Sequence, residues 1–292
     1  MSVTIVKPVF FPAEMLREKF VVIKIGGHAL TREVREWVAQ DIILLRTRAL
    51  KPVIIHGGGP EISNLMEKLG KKPTFVEGLR ITDDETMELV EMTLIGKVNT
   101  DIVSTIQKFG GKAVGLSGKD ASLIRATKQL PKTTIGKNGE EKIIDLGLVG
   151  EIEEINISII EVLSAHGYIP VIAPVGIDNS SKSLNINADI AAGEIAAALE
   201  ANKLIILTDV PGVLKDPNDK NSLISELTIT EAKKLIKEGI AEAGMVPKIE
   251  ACIRALESGV EKTHIVDGRI PHVVFSVFAE KNIGTTILPE GI

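Results

Sequence analysis

Two glycine-rich runs could bind an anion, because each follows a predicted strand. The first, Lys24–Gly27, overlaps the end of the apolar segment at residues 20–25, and the second, His56–Gly59, ends the segment at 52–59. Glycine lets backbone N–H groups approach a ligand closely, and the next helix adds the positive end of its dipole. Tight turns alone would explain either run. Both runs together, with a lysine in the first strand, favour phosphate or carboxylate binding.

Three further polar features could contribute to such a site. Lys248 should lie in the first turn of a helix, where a cation opposes the helix dipole unless an anion binds between them. The run NINAD contains Asn185, Asn187 and Asp189, more polar side chains than one helix N-cap needs. Arg80 could pair with a planar carboxylate through its guanidinium group. The alternative for Lys248 and Arg80 is a solvated surface position.

Several common catalytic motifs do not occur in the sequence. Neither glycine run matches GxxxxGK[ST] or GxGxxG, and there is no GxSxG motif for a nucleophilic serine. His56 has no second ligand at metal-binding spacing, so we interpret it as a structural residue. Cys252 is the only cysteine, which excludes an intrachain disulfide and is typical of a cytoplasmic protein. We expect Cys252 to pack on the face of a helix.

Alternating strand and helix signals predict the elements that position these residues. Strand-like segments occur at residues 20–25, 52–59, 113–118, 168–175, 203–209, 264–268 and 285–288. Helical patterns occur near residues 34–45, 62–69, 159–163, 188–201, 230–238 and 247–259. Thr82 and Glu85 have the spacing of a capping box, and Asn138-Gly139 predicts a hairpin turn. The alternation favours an α/β fold with a mainly parallel sheet and helices on both faces.

Composition disfavours several classes of partner. The net charge of −5 and the 3% content of aromatic residues argue against a nucleic-acid partner. No segment approaches the ~20 apolar residues of a membrane span, and the N-terminal residues lack the apolar region of a signal peptide. We therefore expect no membrane partner and a cytoplasmic location. The 292 residues suffice for one large domain or two joined lobes, with a boundary near residue 195.

Longer sequence blocks resemble the amino acid kinase family, and within it the acetylglutamate branch. They include VIKIGG, VIIHGGGPEI, GLRITDDETME, LNINADIAAGEIAAAL and GMVPKIEACIRAL, in family order from residue 20 to about 260. GLSGKD together with DLGLVGEI is the feature most characteristic of that branch. The resemblance implies a three-layer αβα sandwich with a central, mainly parallel sheet. Residues 1–195 would form an N-terminal lobe for acetylglutamate binding and dimerisation, and residues 196–292 a C-terminal lobe for ATP binding.

The resemblance also implies roles for the charged residues and glycines. Lys24 and Lys248 match the lysines that stabilise the transferring phosphoryl group in that family. Asp189 matches the aspartate that organises the two lysines. Gly27 and Gly58 match glycines whose backbone N–H groups contact phosphoryl oxygens. These five positions are the expected catalytic and phosphoryl-binding residues.

Two further sets of residues match binding segments of the family. Gly58, Gly59, Arg80 and Asn185 match contacts to the acceptor substrate, with Arg80 on its α-carboxylate. The expected nucleotide contacts are Thr208, Asp209, Val210, Pro211, Gly212, Val213, Ile240, Ala241 and Glu242.

The implied reaction is the phosphorylation by ATP of the γ-carboxylate of N-acetyl-L-glutamate, an early step of arginine biosynthesis. A model glutamate has a pKa of ~4.3, so the attacking carboxylate is already ionised and needs no general base. Mg²⁺ would be bound mainly through the nucleotide phosphates, and no protein metal site is expected. The expected assembly is at least a homodimer. Arginine-regulated members form hexamers and hold arginine with a glutamate, whereas the nearest position here is Ser276, which leaves arginine regulation and the hexamer open.

Two alternative functions stay compatible with the sequence. One is a kinase for a related acceptor, such as acetylaminoadipate or a carrier-bound amino acid, because one extra methylene discriminates by only ~1–3 kcal/mol. The other is a non-catalytic sensor that binds an amino acid. The joint presence of Lys24, Lys248 and Asp189 argues against the sensor, which has no need of phosphoryl-transfer residues.

Overall fold

The computed structural model describes residues 19–27, 31–76, 78–135, 141–216, 218–241, 244–279 and 282–291. Within these ranges the strands are β1 (Phe20–Ile25), β2 (Lys51–His56), β3 (Phe75–Val76), β4 (Leu79–Arg80), β5 (Ala113–Ser117), β6 (Ile124–Lys128), β7 (Lys132–Ile135), β8 (Glu141–Ile144), β9 (Gly150–Ile155), β10 (Ile169–Ala173), β11 (Val175–Ile177), β12 (Ser183–Asn185), β13 (Lys203–Thr208), β14 (Glu226–Thr228), β15 (Lys262–Asp267) and β16 (Thr285–Leu288). The helices are α1 (Arg32–Thr47), α2 (Gly59–Lys68), α3 (Asp84–Glu91), α4 (Thr100–Lys108), α5 (Ser158–Ala165), α6 (Ala188–Ala198), α7 (Ile229–Lys237), α8 (Val246–Glu257) and α9 (Val273–Phe278).

A mainly parallel sheet forms the centre of the molecule. Among the described residues it has eight strands in the order β14-β16-β15-β13-β1-β2-β10-β5. The β15–β16 pair is antiparallel and the other pairs are parallel. β1 lies between β2 and β13, so the chain extends from β1 towards both edges of the sheet. The carboxyl ends of strands at such a switch point form a crevice, which is the usual ligand site of open α/β sheets.

Helices cover both faces of the sheet, which confirms the expected three-layer sandwich. Val21 in β1 belongs to a buried core that includes Ile42 from α1. Val22, the next residue, belongs to a different core with Ile195 from α6 and Cys252 from α8. The assignment to two cores follows from the alternation of side chains along a strand. Cys252 is fully buried on α8, as expected of a packing residue.

The same alternation decides where the lysine of β1 points. Lys24 lies two residues after Val22 and therefore faces the layer that contains α6 and α8. These two helices pack closely at Gly193, where an added Cβ would lie 2.9 Å from Cα and 2.8 Å from the carbonyl oxygen of Ala251. The close contact brings the beginnings of α6 and α8 beside the end of β1.

Smaller elements lie around the central sheet. The described residues include a four-stranded sheet in the order β12-β11-β6-β9 and two antiparallel pairs, β3–β4 and β7–β8. The predicted turn residues Asn138-Gly139 lie outside the described residues, between the paired strands β7 and β8. No helix in the described ranges has the length and apolar character needed to cross a lipid bilayer.

The start of α3 differs from the capping-box prediction by one residue. Asp83 is the N-cap, and its carboxylate accepts a hydrogen bond from the backbone N–H of Thr86 at 2.8 Å. Thr82 is fully buried, and its hydroxyl donates to the backbone carbonyl of Arg80 at 2.8 Å. The predicted helix is confirmed, but the capping box with Thr82 as N-cap was wrong. Either Thr82 or Asp83 can cap a helix locally, and tertiary contacts engage Thr82 elsewhere.

Two further features were not apparent from the sequence. A π-helical segment, Met92–Asn99, joins α3 to α4, and such segments arise where the helical hydrogen-bond ladder adapts to tertiary contacts. The lobe boundary placed at residue 195 falls within α6, which continues to Ala198. The division into two lobes stays a prediction.

The contact at Gly193 predicts that replacing this helical glycine by alanine destabilises the protein, whereas the same change elsewhere in a helix usually stabilises it. Gly193→Ala should lower the free energy of unfolding by about 1–3 kcal/mol, because the added methyl group would overlap the backbone of Ala251. Urea denaturation of the purified variant measures this change. Gly96→Ala is the matched control, since Gly96 is helical and exposed and an added Cβ would meet nothing within 4 Å. The control should be neutral or stabilised by up to about 1 kcal/mol, as for an ordinary helical glycine. Equal stability of Gly193→Ala and the unmodified chain would contradict the packing argument.

Candidate active site

Asp189 lies between two lysines at the carboxyl edge of the sheet. The Nζ atom of Lys24 is 2.7 Å from Oδ1 of Asp189, and the Nζ atom of Lys248 is 3.1 Å from Oδ2. Lys24 and Asp189 are only 4% and 6% exposed. Lys248 also donates to the backbone carbonyl of Gly244 at 3.0 Å. The structure thus brings together the three residues that the sequence suggested as catalytic.

The charges of this cluster determine one another. Burial lowers the pKa of Lys24, and the negative charge of Asp189 opposes that shift. Burial alone would raise the pKa of Asp189, but the charges of Lys24 and Lys248 outweigh it and hold the pKa below its ordinary value. With both lysines protonated, one carboxylate faces two cations. The charge of Asp209 also acts on Lys24. The two lysines nevertheless share Asp189 as a partner in a poorly solvated position, which favours the approach of an anion.

Asp189 and Lys248, the charged partners of Lys24 in the cluster, lie in the first turns of α6 and α8. Asn187 is the N-cap of α6, and its side-chain oxygen accepts hydrogen bonds from the N–H groups of Asp189 at 2.8 Å and Ile190 at 3.2 Å. The cap explains one of the three polar residues of NINAD and places Asp189 in the first turn. Lys248 lies in the first turn of α8, beside Pro247, as the sequence predicted.

The two glycine runs contact each other beside the cluster. A Cβ added to Gly27 would lie 3.3 Å from the backbone nitrogen of Gly58 and 3.1 Å from that of Gly59. Within the described ranges, the N–H groups of Gly27, Gly58 and Gly59 make no hydrogen bond to an acceptor. Backbone donors grouped in this way are typical of sites that bind an anion.

A cavity of about 170 Å³ lies beside the glycine runs. Its lining includes all four residues expected to bind the acceptor, namely Gly58, Gly59, Arg80 and Asn185. Phe75, Leu79, Leu94 and Ile186 contribute apolar wall. The cavity therefore combines an apolar surface with a few polar groups, as is common for small-molecule sites.

The Arg80 side chain is held rigidly at this cavity. Its guanidinium group donates to the backbone carbonyl of Gly59 and to the hydroxyl of Ser63, both at 2.9 Å. It also lies 4.6 Å from the centre of the Phe75 ring. Burial lowers the pKa of Arg80, which is only 6% exposed. A fixed guanidinium group of this kind suits a planar carboxylate.

Asn185 is oriented by a residue that the sequence analysis treated only as a helix cap. Its side-chain nitrogen donates to the hydroxyl oxygen of Thr82 at 3.2 Å. Thr82 in turn donates to the backbone carbonyl of Arg80, so Thr82 connects two residues of the cavity wall. The block GLRITDDE contained Thr82, but nothing in the sequence paired it with Asn185.

A second, smaller cavity of about 70 Å³ lies near the start of α8. It is lined by Val210, Gly212, Val213, Leu214, Ile240, Ala241 and Met245, five of which the sequence analysis assigned to nucleotide binding. Thr208, Asp209 and Pro211 adjoin this lining in the chain, and the hydroxyl of Thr208 donates to the carboxylate of Asp209 at 3.3 Å. Glu242 lies outside the described residues. The mostly apolar wall suits the flat surface of a base.

His56 is a buried, neutral residue. Burial lowers its pKa to about 4. Its Nδ1 atom lies 2.8 Å from the backbone carbonyl oxygen of Gly57, and its Nε2 atom lies 3.1 Å from the side-chain nitrogen of Asn99. These contacts agree with a structural histidine. Asn99 was missed, although its position between Val98 and Ile102 on a buried helical face was a signal.

Nothing in the described ranges resembles a protein-bound metal centre. No group of three or more histidine, cysteine, aspartate or glutamate side chains there could hold a metal ion. Both oxygens of Asp189 already face lysines. A divalent cation at this site would therefore depend on ligand atoms supplied by a phosphate group.

Comparison with known proteins decides the family. Residues 19–267 match the model of the amino acid kinase family. This chain belongs to that family. It is 52% identical over 273 residues to the acetylglutamate kinase of Moorella thermoacetica, covering 93% of this chain and 92% of the relative. It is 53% identical over 272 residues to the acetylglutamate kinase of Methanobrevibacter smithii, covering 92% and 93% respectively. The resemblance to the acetylglutamate branch is confirmed.

The fold also matches a solved structure. That structure is N-acetylglutamate synthase from Neisseria gonorrhoeae, complexed with coenzyme A and N-acetyl-glutamate, with a TM-score of 0.79 and 24% sequence identity. The match covers 96% of this chain but 61% of the synthase chain. At this identity the likeness concerns the fold.

The cluster predicts a shift in the protonation of Lys24. In the unmodified chain the carboxylate of Asp189 opposes the effect of burial on Lys24. Asp189→Asn removes that negative charge, so it should lower the pKa of Lys24 further. Lys24 would then lose its proton at a lower pH than in the unmodified chain. Titration of the ¹³Cε signal of Lys24 by NMR measures the midpoint. Glu200→Gln, at the exposed end following α6, is a matched change of carboxylate to amide and should leave the midpoint in place. An unchanged midpoint in Asp189→Asn would refute the coupling.

Proposed function

We propose that this chain transfers the γ-phosphoryl group of ATP to the γ-carboxylate of N-acetyl-L-glutamate. The products are N-acetyl-L-glutamyl 5-phosphate and ADP, and the reaction is an early step of arginine biosynthesis. Acetylglutamate kinases that are about half identical over more than nine-tenths of the chain support the proposal. The observation that carries it is the pair of lysines sharing Asp189.

The main barrier to this reaction is electrostatic. An ionised carboxylate must approach a triphosphate, and both reactants are negatively charged at neutral pH. Lys24 and Lys248 offer positive charge to the transferring group, while Asp189 holds both lysines in place. His56 does not serve as the base, because it is buried and neutral and its ring nitrogens already have partners. Catalysis then depends on positioning and charge stabilisation, as in other phosphoryl transfers.

Backbone amides complement the lysines in this proposal. Gly27 and Gly58 would donate to oxygens of the phosphoryl group from the place where the two glycine runs meet. Arg80 would bind the α-carboxylate of the acceptor, with Gly58, Gly59 and Asn185 as further contacts. The fixed guanidinium group and the apolar wall of the 170 Å³ cavity support that assignment.

The nucleotide would bind on the other side of the lysine cluster. The cavity near α8 supports contacts with Val210, Gly212, Val213, Ile240 and Ala241, and the neighbouring residues Thr208, Asp209, Pro211 and Glu242 complete the proposed set. Mg²⁺, when bound through the nucleotide phosphates, neutralises part of their charge. In this scheme residues 1–195 bind the acceptor and residues 196–292 bind ATP. We further propose a cytoplasmic enzyme that is at least a homodimer.

The acceptor is tested by measuring ADP release with a panel of compounds. N-acetyl-L-glutamate should give the highest kcat/KM, ahead of N-acetylaspartate, glutamate and acetylaminoadipate, because the cavity must match both chain length and the acyl group. A coupled assay for ADP gives these values directly. Preference for acetylaminoadipate would assign a related kinase instead. No release of ADP with any acceptor would indicate a sensor.

The role of the lysines predicts a large loss of turnover. Lys24→Ala and Lys248→Ala should each lower kcat about 100-fold or more, by analogy with loss of an oxyanion-hole donor, which costs about 2.7–4 kcal/mol. Lys112→Ala is the control, since Lys112 is exposed and lies immediately before β5. It is therefore at the amino end of a strand, whereas the site is at the carboxyl ends. Circular dichroism should show the same fold in all three variants. Turnover near that of the control in both site variants would rule out the proposed mechanism.

A further inference from the structure

The fully buried histidine at the end of β2 has no role in the proposed chemistry. His56 is 0% exposed, although an apolar side chain could occupy the same position without burying polar atoms. Both ring nitrogens have partners, and one partner is the backbone of the glycine run itself. A buried polar group that contacts the phosphoryl-binding run is a candidate for positioning that run.

The partners of His56 and of Asn99 determine the tautomer of His56. The side-chain nitrogen of Asn99 donates to the backbone carbonyl of Val171 at 2.9 Å and approaches that of Leu116 at 3.3 Å. Since these carbonyl groups only accept, the amide nitrogen of Asn99 must face them. The same nitrogen lies 3.1 Å from Nε2 of His56. The carbonyl of Gly57 beside Nδ1 can only accept, so Nδ1 carries the proton and Nε2 is an acceptor facing the amide of Asn99. Nδ1 then donates to the carbonyl oxygen of Gly57 at 2.8 Å.

The hydrogen bond from His56 to the carbonyl of Gly57 determines the direction of the N–H group of Gly58. The peptide bond between Gly57 and Gly58 is planar and trans, because no cis peptide bond occurs in the described residues. Its C=O and N–H groups therefore point in opposite directions. While His56 holds the carbonyl of Gly57 in the interior, the N–H of Gly58 points away from His56. The backbone nitrogen of Gly58 is one of those close to Gly27, where the two glycine runs meet.

The anchor for this hydrogen bond is rigid. Asn99 ends the π-helical segment and contacts the backbone of β10 and of β5, so it ties the histidine to two strands of the central sheet. The amide of Asn99 also lies against Gly115 of β5, where an added Cβ would be 2.1 Å from Oδ1 of Asn99. Glycine at that position leaves the space that Asn99 occupies. Glycine runs are intrinsically flexible, so an external anchor of this kind limits the conformations of the loop.

We propose that His56 and Asn99 are positioning residues, which hold the Gly57–Gly58 peptide so that the N–H of Gly58 faces the transferring phosphoryl group. The inference rests on the proposed function of this site. The effect should appear in kcat and only weakly in KM, because a donor aimed at the phosphoryl group matters most in the transition state. A histidine that served only to fill space would affect stability without this selectivity.

Two amide substitutions separate the contacts of His56. Asn places its amide nitrogen near the position of Nδ1 and can still donate to Gly57, whereas Gln reaches the position of Nε2 and keeps only the contact with Asn99. His56→Gln and His56→Leu should lower kcat about 10- to 100-fold, less than the ~100- to 1,000-fold effect of removing an oxyanion-hole donor itself. His56→Asn should retain turnover within about threefold. The assay uses whichever acceptor the unmodified chain phosphorylates, so a wrong acceptor would overturn the proposed function without affecting this comparison.

Binding measurements distinguish positioning from simple packing. Isothermal titration should show that His56→Gln binds ADP as tightly as the unmodified chain does. Aluminium fluoride mimics the transferring phosphoryl group. In the presence of the acceptor, His56→Gln should bind ADP with aluminium fluoride about 10- to 100-fold more weakly than the unmodified chain does. Hydrogen exchange of the peptide that spans residues 57–62 should also be faster in His56→Gln than in His56→Asn, and this readout does not depend on activity. The proposal would be overturned if His56→Gln and His56→Asn had equal kcat values and equal exchange rates. It would also be overturned if His56→Gln bound ADP and the phosphoryl mimic with equally reduced affinity.

Discussion

The site depends on one interaction, the sharing of the Asp189 carboxylate by Lys24 and Lys248. A buried charge is costly unless it is paired, and the carboxylate satisfies both lysines at once. Because the two lysines share the Asp189 carboxylate, neither has it as a sole partner. An anionic ligand can pair further with both ammonium groups, so the arrangement that stabilises the folded protein also creates affinity for a phosphoryl group. This coupling of stability and binding accounts for a lysine near the end of an otherwise apolar strand.

The surrounding fold brings Lys24, Asp189 and Lys248 close enough to share the carboxylate. Lys24 comes from the central strand of the sheet, and Asp189 and Lys248 come from the first turns of two helices on one face. The helices approach closely because Gly193 presents no side chain to Ala251. A larger separation would place the two helical residues beyond reach of one another. The topology of the sheet adds the second requirement, since β1 sits where the chain order reverses and the crevice opens.

Each of the two cavities has lining residues close in the chain to a residue of the cluster. Asn187 and Ala188 line the larger cavity immediately before Asp189, and Met245 lines the smaller cavity three residues before Lys248. Phosphoryl transfer needs a donor and an acceptor aligned through one small region of positive charge. An arrangement with one cavity lined by residues next to Asp189 and another lined by a residue near Lys248 suits that requirement. The glycine amides contribute donors without bulky side chains, which leaves room for the reacting groups.

The sequence by itself determined the alternation of strands and helices, the mainly parallel sheet and the residues with charge or flexibility suited to phosphate. These features follow from local patterns, such as the apolar run that ends at Lys24 and the cap at Asn187. The resemblance to the family implied that Asp189 organises Lys24 and Lys248, and the structure provides the distances between them. Tertiary structure alone decided that Thr82 joins Arg80 to Asn185 and that Asn99 holds His56. It also moved the cap of α3 to Asp83 and introduced the π-helical segment. The physical reason is that side-chain pairs distant in the chain depend on register and helix packing, and local propensity contains no information about either.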